Sequence, residues 1–289
     1  MNPSSGISTP RLPVVAGTFY SGSARTLQRE VDAMLDQAVL PRQSGTLFGI
    51  LAPHAGYTYS GFTAAHGYSA LKGTSFDAVI VVGPSHQEYF DGIAIYPGSS
   101  YRTPLGEVPV HQDVRTQLVR GGKRISLSVA GHRTEHSVEV QVPFLQRALG
   151  AFSFVPVVMG DQSPDLCTDL ADAIVSAAAG RRILLVASSD LSHYHPYTEA
   201  VALDRRVIDL VESFEPLRLL ESLEHRHLEA CGGGPIVAVM LAAQRLGANT
   251  ARVVHYCNSG DVTGDRGAVV GYLSAILTNE PPGLPPRVN

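Results

Sequence analysis

Tryptophan is absent from this chain, and cysteine is scarce: the three are Cys167, Cys231 and Cys257. So odd and sparse a set argues against a disulfide scaffold and fits a reducing compartment. No apolar run approaches the ~18 residues that a membrane span requires. Met1 to Pro10 has no basic segment followed by an apolar stretch, so no secretory signal is expected and a cytoplasmic location is the default. Blocks of like charge are missing too. The net charge is −4, and Arg181-Arg182 and Arg205-Arg206 are pairs rather than patches. Neither nucleic acid nor a membrane surface is therefore an expected partner.

What is present is an ordinary globular composition over 289 residues, 44% of them hydrophobic, with 11 histidines. Strand and helix patterns alternate. Strands are expected at Leu47–Ala52, Ala78–Val82, Phe152–Val158, Ile183–Ala187, Arg252–Tyr256 and Ala268–Ile276. Helices are expected at Ala24–Leu40, Ser60–Leu71, Asp113–Arg120, Ser137–Leu149, Pro164–Ala179, Glu199–Ser213, Pro216–Leu223 and Pro235–Leu246. Such alternation implies an α/β fold, three αβα layers around a mostly parallel or mixed sheet. One domain is expected over 13–278, with frayed ends at 1–12 and in the Pro-rich stretch 279–289. The irregular segment Gly92–Ala130 reads as a β-rich excursion that lids the site.

Three apolar runs end in histidine-bearing turns. They are Leu51-Ala52-Pro53-His54-Ala55-Gly56, Val81-Val82-Gly83-Pro84-Ser85-His86 and Leu185-Val186-Ala187-Ser188-Ser189-Asp190-Leu191-Ser192-His193. Open α/β sheets bind ligands at the carboxyl ends of their strands. The repeated syntax therefore points to one shared site. A lone loop histidine is more often bonded to backbone, but neutral imidazole is also the commonest transition-metal ligand. His54 and His86 are thus candidate ligands or proton carriers. Asp190 and His193 are candidates for an orienting carboxylate and a general base, or for further ligands. His195 is a weaker candidate.

Cys231 stands before a glycine run, Gly232-Gly233-Gly234, that opens a helix. Free backbone N–H groups there should lower its pKa, which suits a soft metal ligand or a nucleophile. The bland alternative is a small cysteine in a tight turn. Glu135 and Glu139 are explained by helix-dipole complementarity, His136 less well. Tyr57 and His136 are candidate substrate contacts, and Tyr57 serves equally as a packing aromatic.

The motifs Val15-Ala16-Gly17-Thr18-Phe19-Tyr20, Ala52-Pro53-His54-Ala55-Gly56-Tyr57, Gly83-Pro84-Ser85-His86, Glu135-His136-Ser137-Val138-Glu139, Ser188-Ser189-Asp190-Leu191-Ser192-His193-Tyr194 and Cys231-Gly232-Gly233-Gly234-Pro235 together resemble the Memo family. Its bacterial and archaeal members are called AmmeMemoRadiSam system protein B. The resemblance implies a three-layer fold similar to class III extradiol ring-cleaving dioxygenases. It implies iron(II) or copper held by His54, His86 and Cys231, with His193 as acid/base. In those dioxygenases a glutamate occupies the place of Cys231, and a thiolate there changes the redox behaviour of the metal. The family name also implies association with an AMMECR-type protein and a radical SAM enzyme.

Three readings follow. The first is a metal-dependent oxidoreductase acting on a small molecule. The second is a non-catalytic module binding an anionic peptide or metabolite at the start of the Cys231 helix, where N–H groups would receive it. The third is a hydrolase with Cys231 as nucleophile and His193 as base, which leaves His54 and His86 without roles.

Overall fold

The computed structural model describes residues 9–38, 40 and 45–280. Its strands are β1 (Thr46–Ala52), β2 (Ala78–Pro84), β3 (Ile93–Ile95), β4 (Ser100–Thr103), β5 (Gly106–Pro109), β6 (Ile125–Leu127), β7 (Phe154–Met159), β8 (Ile183–Ser188), β9 (His193–His195), β10 (Thr250–Asn258) and β11 (Val269–Asn279). Its α-helices are α1 (Ala24–Gln37), α2 (Tyr57–Ser69), α3 (Gln112–Gly121), α4 (Val142–Leu149), α5 (Pro164–Ala177), α6 (Tyr197–Glu212), α7 (Pro216–Glu224), α8 (Gly233–Arg245) and α9 (Ser259–Thr263).

The main sheet runs β10-β11-β1-β8-β2-β7-β3-β6, with β9 pairing β11 to one side. Its centre is parallel: β1 with β8, β8 with β2, and β2 with β7. Antiparallel β11 and β3 flank that centre, so the sheet is mixed. Sequence alternation decides which side chains meet which helices. Val79 and Val81 of β2 join the core formed with α1, α2 and α4, whereas Ile80 and Val82 join the core formed with α5 and α8. Every residue of β2 is buried, as expected for a strand covered on both faces. The order β1-β8-β2 also sets the three histidine-bearing turns next to one another. Ala52 aligns with Ser188, and Val82 with Ala187.

Several expectations need correction. The excursion after Gly92 is not a lid. Its strands β3 and β6 extend the sheet at the edge away from β10, and β4 and β5 form a separate hairpin. Among the described residues, none from 92 to 130 bonds or ring-packs to His54, His86, His136 or Cys231. The helix expected from Ser137 begins instead with a 3-10 turn, Glu139–Gln141, before α4. The carboxylate of Glu139 explains this detour. It turns inward to accept the Val14 and Val15 N–H groups, the Tyr20 hydroxyl at 2.6 Å and Arg11 at 2.6 Å.

Of the ends expected to fray, 1–8 and 281–289 lie outside the described residues. Arg11 itself is anchored. It is 6% exposed, donates to the carbonyls of His132 and Glu135, and sits 4.6 Å over the Tyr101 ring. Asn279 still belongs to β11, paired with Thr46. Among the described residues, no helix is long and apolar enough to cross a membrane.

Removing one partner of a buried ion pair strands the other charge, at a cost of about 3–5 kcal/mol. Arg11→Ala should therefore lower stability to urea by about that much. A loss below about 1 kcal/mol would show that the Arg11–Glu139 pair does not hold the amino-terminal segment in place.

Candidate metal centre

The site is built at the carboxyl ends of β1, β2 and β8, where the sheet stops and polar side chains replace valine and leucine. His54 follows β1 through Pro53 and is 2% exposed. Ser188, the last residue of β8, donates its hydroxyl proton to the Ser137 carbonyl at 2.6 Å. Toward His54 Nδ1, 2.9 Å away, the same hydroxyl can only accept. Gln141 Nε2 fills its second lone pair at 2.7 Å. The imidazole is thereby held as its Nδ1–H tautomer, with the Nε2 lone pair directed into the site. Burial first, then the imidazoles of His86 and His136, hold His54 well below the usual histidine pKa.

His86 is oriented by the same logic with a different partner. Its Nδ1–H donates to Glu135 Oε1 at 3.0 Å, leaving Nε2 open. Glu135 also accepts the N–H groups of His86, His136 and Ser137. Burial opposes ionisation of Glu135, but His86 and these N–H groups outweigh it and hold the carboxyl well below its usual range. Burial likewise works against charge on His86, but the bond and charge of Glu135, with help from Asp190, raise its pKa overall. His136 is lowered, burial again being the largest cause.

His54, His86 and His136 form a compact group, each offering a ring nitrogen within 4.8 Å of the others. The rings of His86 and His136 stack at 5.0 Å, and both meet His54 edge-on. Phe19 covers His136 at 4.7 Å. Imidazole donors of this kind suit iron, copper or zinc far better than magnesium or calcium. Sequence reasoning gave His136 a substrate role and not a place in the group. No local spacing signals that place; the His136 ring lies 3.3 Å from Glu135, the carboxylate that also binds the imidazole of His86.

Cys231 lies against the group on its His54 side. Its Sγ lies 3.1 Å from His54 Nε2 and accepts the Asp190 N–H at 3.2 Å. Gly232 lets the chain pass directly against the end of β8, since a Cβ there would collide with the Ser188 carbonyl. The expected lowering of the Cys231 pKa is not found. Burial, followed by the Asp190 charge, pushes the thiol up. The Asp190 and Gly232 N–H groups lower it only in part, and the N–H groups of the helix start are engaged elsewhere. Gly232 donates to Ser189 Oγ at 2.9 Å, Gly233 to the Ala230 carbonyl and Gly234 to Gln162 Oε1 at 2.7 Å. No free N–H set awaits an anion there.

Asp190 and His193 do not work on each other through a hydrogen bond or ion pair among the described residues. Asp190 Oδ1 accepts the His54 and Ala55 N–H groups, and its Oδ2 is 3.9 Å from His54 Nε2. His193 donates Nδ1–H to the Leu191 carbonyl at 2.8 Å, which leaves Nε2 free to exchange a proton. It lines a cleft of about 450 Å³ together with Cys231. Tyr57 packs against Tyr20 and Phe144, and its hydroxyl donates to the Val140 carbonyl at 2.7 Å. His195 binds Glu229 at 3.0 Å. Cys167 is buried in α5, and Cys257 of β10 meets Thr63 of α2 at 3.1 Å.

The class defined here is a three-layer α/β domain with a cluster of three histidines at the parallel strand ends, placed where a metal ion could be held. Comparison with known proteins places it more closely. A family profile described as Memo-like protein matches residues 11–276. A MEMO1 family protein of Sulfolobus acidocaldarius is 36% identical over 91% of this chain and 98% of its own. Another, from Methanopyrus kandleri, is 36% identical over 92% and 98%. The chain belongs to the Memo family. An uncharacterized protein of Escherichia coli K12 shares the fold at a TM-score of 0.57, with 15% identity, covering 80% of this chain and 99% of that one.

With its pKa raised, Cys231 should be a sluggish nucleophile. In metal-free native protein at pH 7, iodoacetamide should alkylate it roughly tenfold or more slowly than the same cysteine in unfolded chain. Faster alkylation in the native state would reinstate the thiolate, and with it the hydrolase reading.

Proposed function

We propose that the chain is a metal-dependent oxidoreductase. Iron(II) or copper would be held by His54, His86 and Cys231, with His136 beside them. The observation that carries this reading is the orientation of the imidazoles. His54 and His86 each give their Nδ1–H to a buried acceptor, Ser188 and Glu135 respectively, so both present Nε2 inward. Such outer partners are the usual means of fixing metal-binding histidines. Two imidazoles and a thiol form a borderline-soft donor set that leaves open positions on a redox metal. The group would supply electron transfer and Lewis acidity.

The chain's own residues would do the rest. His193 Nε2, facing the cleft, would carry a proton to or from the bound molecule. Glu135 would balance positive charge and hold His86 still. Asp190 would keep His54 and Cys231 adjacent. The raised Cys231 thiol fits this picture as well, since a protein-bound metal is what would draw off its proton. A site for an anionic peptide loses its main support, because the N–H groups of Gly232, Gly233 and Gly234 already have acceptors.

Protein purified without chelator should carry about one iron or copper per chain by elemental analysis. The His54→Ala, Cys231→Ala double variant should lose it, and unchanged metal content in that variant would refute the proposal. Glu135→Gln keeps the shape but removes the charge behind His86. It should weaken metal affinity roughly 10–100-fold while leaving the fold intact by circular dichroism.

A further inference from the structure

The cleft beside Cys231 has a composition that none of the histidine chemistry explains. Leu220 and Leu223 of α7, with Leu228 beyond it, form an apolar wall, and Leu220 and Leu228 are buried. Gly233 lets that wall close on α8, since a Cβ there would meet Leu223 Cδ1 at 2.6 Å. The charged side chains of the lining are Glu224 and Glu229, with no lysine or arginine among them. At about 450 Å³ the space matches a small molecule rather than a folded partner.

The two carboxylates differ. Glu229 is engaged with both oxygens on His195 Nε2 at 3.0 Å. Glu224 makes no hydrogen bond or ion pair among the described residues. It is also the last residue of α7, whose last turn contains no basic residue. The last carbonyls of α7 are already taken, Glu221 by the His225 N–H, Ser222 by that of His227 and Leu223 by that of Arg226, so the negative group at that end is the Glu224 carboxylate itself. An unpartnered glutamate at that end, on the rim of an apolar cleft, is half of a cation site. Arg226, two residues further on, is not part of the lining and makes no ion pair among the described residues.

We propose that this cleft takes an apolar small molecule bearing a protonated amine. The apolar body lies on Leu220, Leu223 and Leu228, and the ammonium group meets the Glu224 carboxylate. The opposite end of the molecule points toward His193 and Cys231. This last point alone rests on the metal-centre reading. The preference for a cation over an anion follows from the cleft itself.

The test uses the full chain, both metal-stripped and metal-loaded, and two probes sharing one apolar body: 3-phenylpropylamine and 3-phenylpropionate. Calorimetry at pH 7 should find the amine bound roughly five- to tenfold more tightly than the acid, in both metal states. Glu224→Gln should bring the two within about threefold, and Glu224→Lys should reverse the order. Glu224 is exposed, so both variants should keep the wild-type circular dichroism. Equal or tighter binding of the acid would overturn the proposal. So would failure of both probes to bind at millimolar concentration, or a ratio unchanged in Glu224→Gln. None of these results bears on the metal centre, whose test is the metal content of the His54 and Cys231 variant.

Discussion

Asp190 is the residue on which the site depends. It is 4% exposed, at the first turn after β8, and it connects three segments that sequence separates widely. One carboxylate oxygen receives the N–H groups of His54 and Ala55, which fixes the turn after β1. Its own N–H donates to Cys231 Sγ, and its carbonyl accepts the Cys231 N–H at 3.2 Å, which fixes the start of α8. Burial raises its carboxyl pKa, and the backbone donors only partly offset this. A buried carboxylate is costly unless it is well bonded. Here that cost accompanies a fixed relation between an imidazole and a thiol that no local sequence motif could impose.

A second layer decides what the imidazoles can do. The ring nitrogens that face the site do so because the opposite nitrogens have partners. Ser188 is saturated by Ser137, Gln141 and His54, so its hydroxyl cannot rotate to present a proton to His54. Glu135 is equally committed, to three N–H groups and to the imidazoles of His86 at 3.0 Å and His136 at 3.3 Å. His132 makes an instructive contrast. It is as buried as His54, and burial pushes its pKa down to about 3. Both of its ring nitrogens, however, are occupied, one by the Tyr101 hydroxyl and one by the Ala94 carbonyl. At 54 the second nitrogen faces the Cys231 thiol at 3.1 Å, so the two imidazoles differ in that partner: a backbone carbonyl at 132, a side chain that can itself ligate a metal at 54. The difference lies in the neighbours, since residue type and burial are shared.

That contrast also explains what the sequence could and could not reveal. The strands β1, β2 and β8 were legible as apolar runs, and their terminal His54, His86 and Asp190 as polar residues just beyond them. Their adjacency was not legible, because strand order is fixed by long-range pairing. His136 was missed as a member of the group because its claim rests on Glu135 reaching His86, which no local spacing announces. The Cys231 expectation erred in the other direction. The glycine run was read as a set of free donors, but Ser189, Ala230 and Gln162 supply acceptors from elsewhere in the fold. Local rules described the helix start correctly and said nothing about what packs against it. The 3-10 turn at Glu139 departs from helical periodicity for a similar reason, since its carboxylate serves the amino-terminal segment.

The amino-terminal segment is tied to the same centre by that carboxylate. Glu139 holds Val14, Val15 and Tyr20, and this loop sets Phe19 against the His136 ring. His136 is thus pressed from one side by an aromatic ring and flanked on the other by the imidazoles of His54 and His86. The cleft on the Cys231 side has no such cover and is walled by leucines and edged with carboxylate. The two approaches to the cluster are chemically unlike: one is closed by packing, the other open, apolar and acidic. The cluster also meets solvent at His86, which is exposed, so the leucine-walled cleft beside Cys231 borders only one of its open sides.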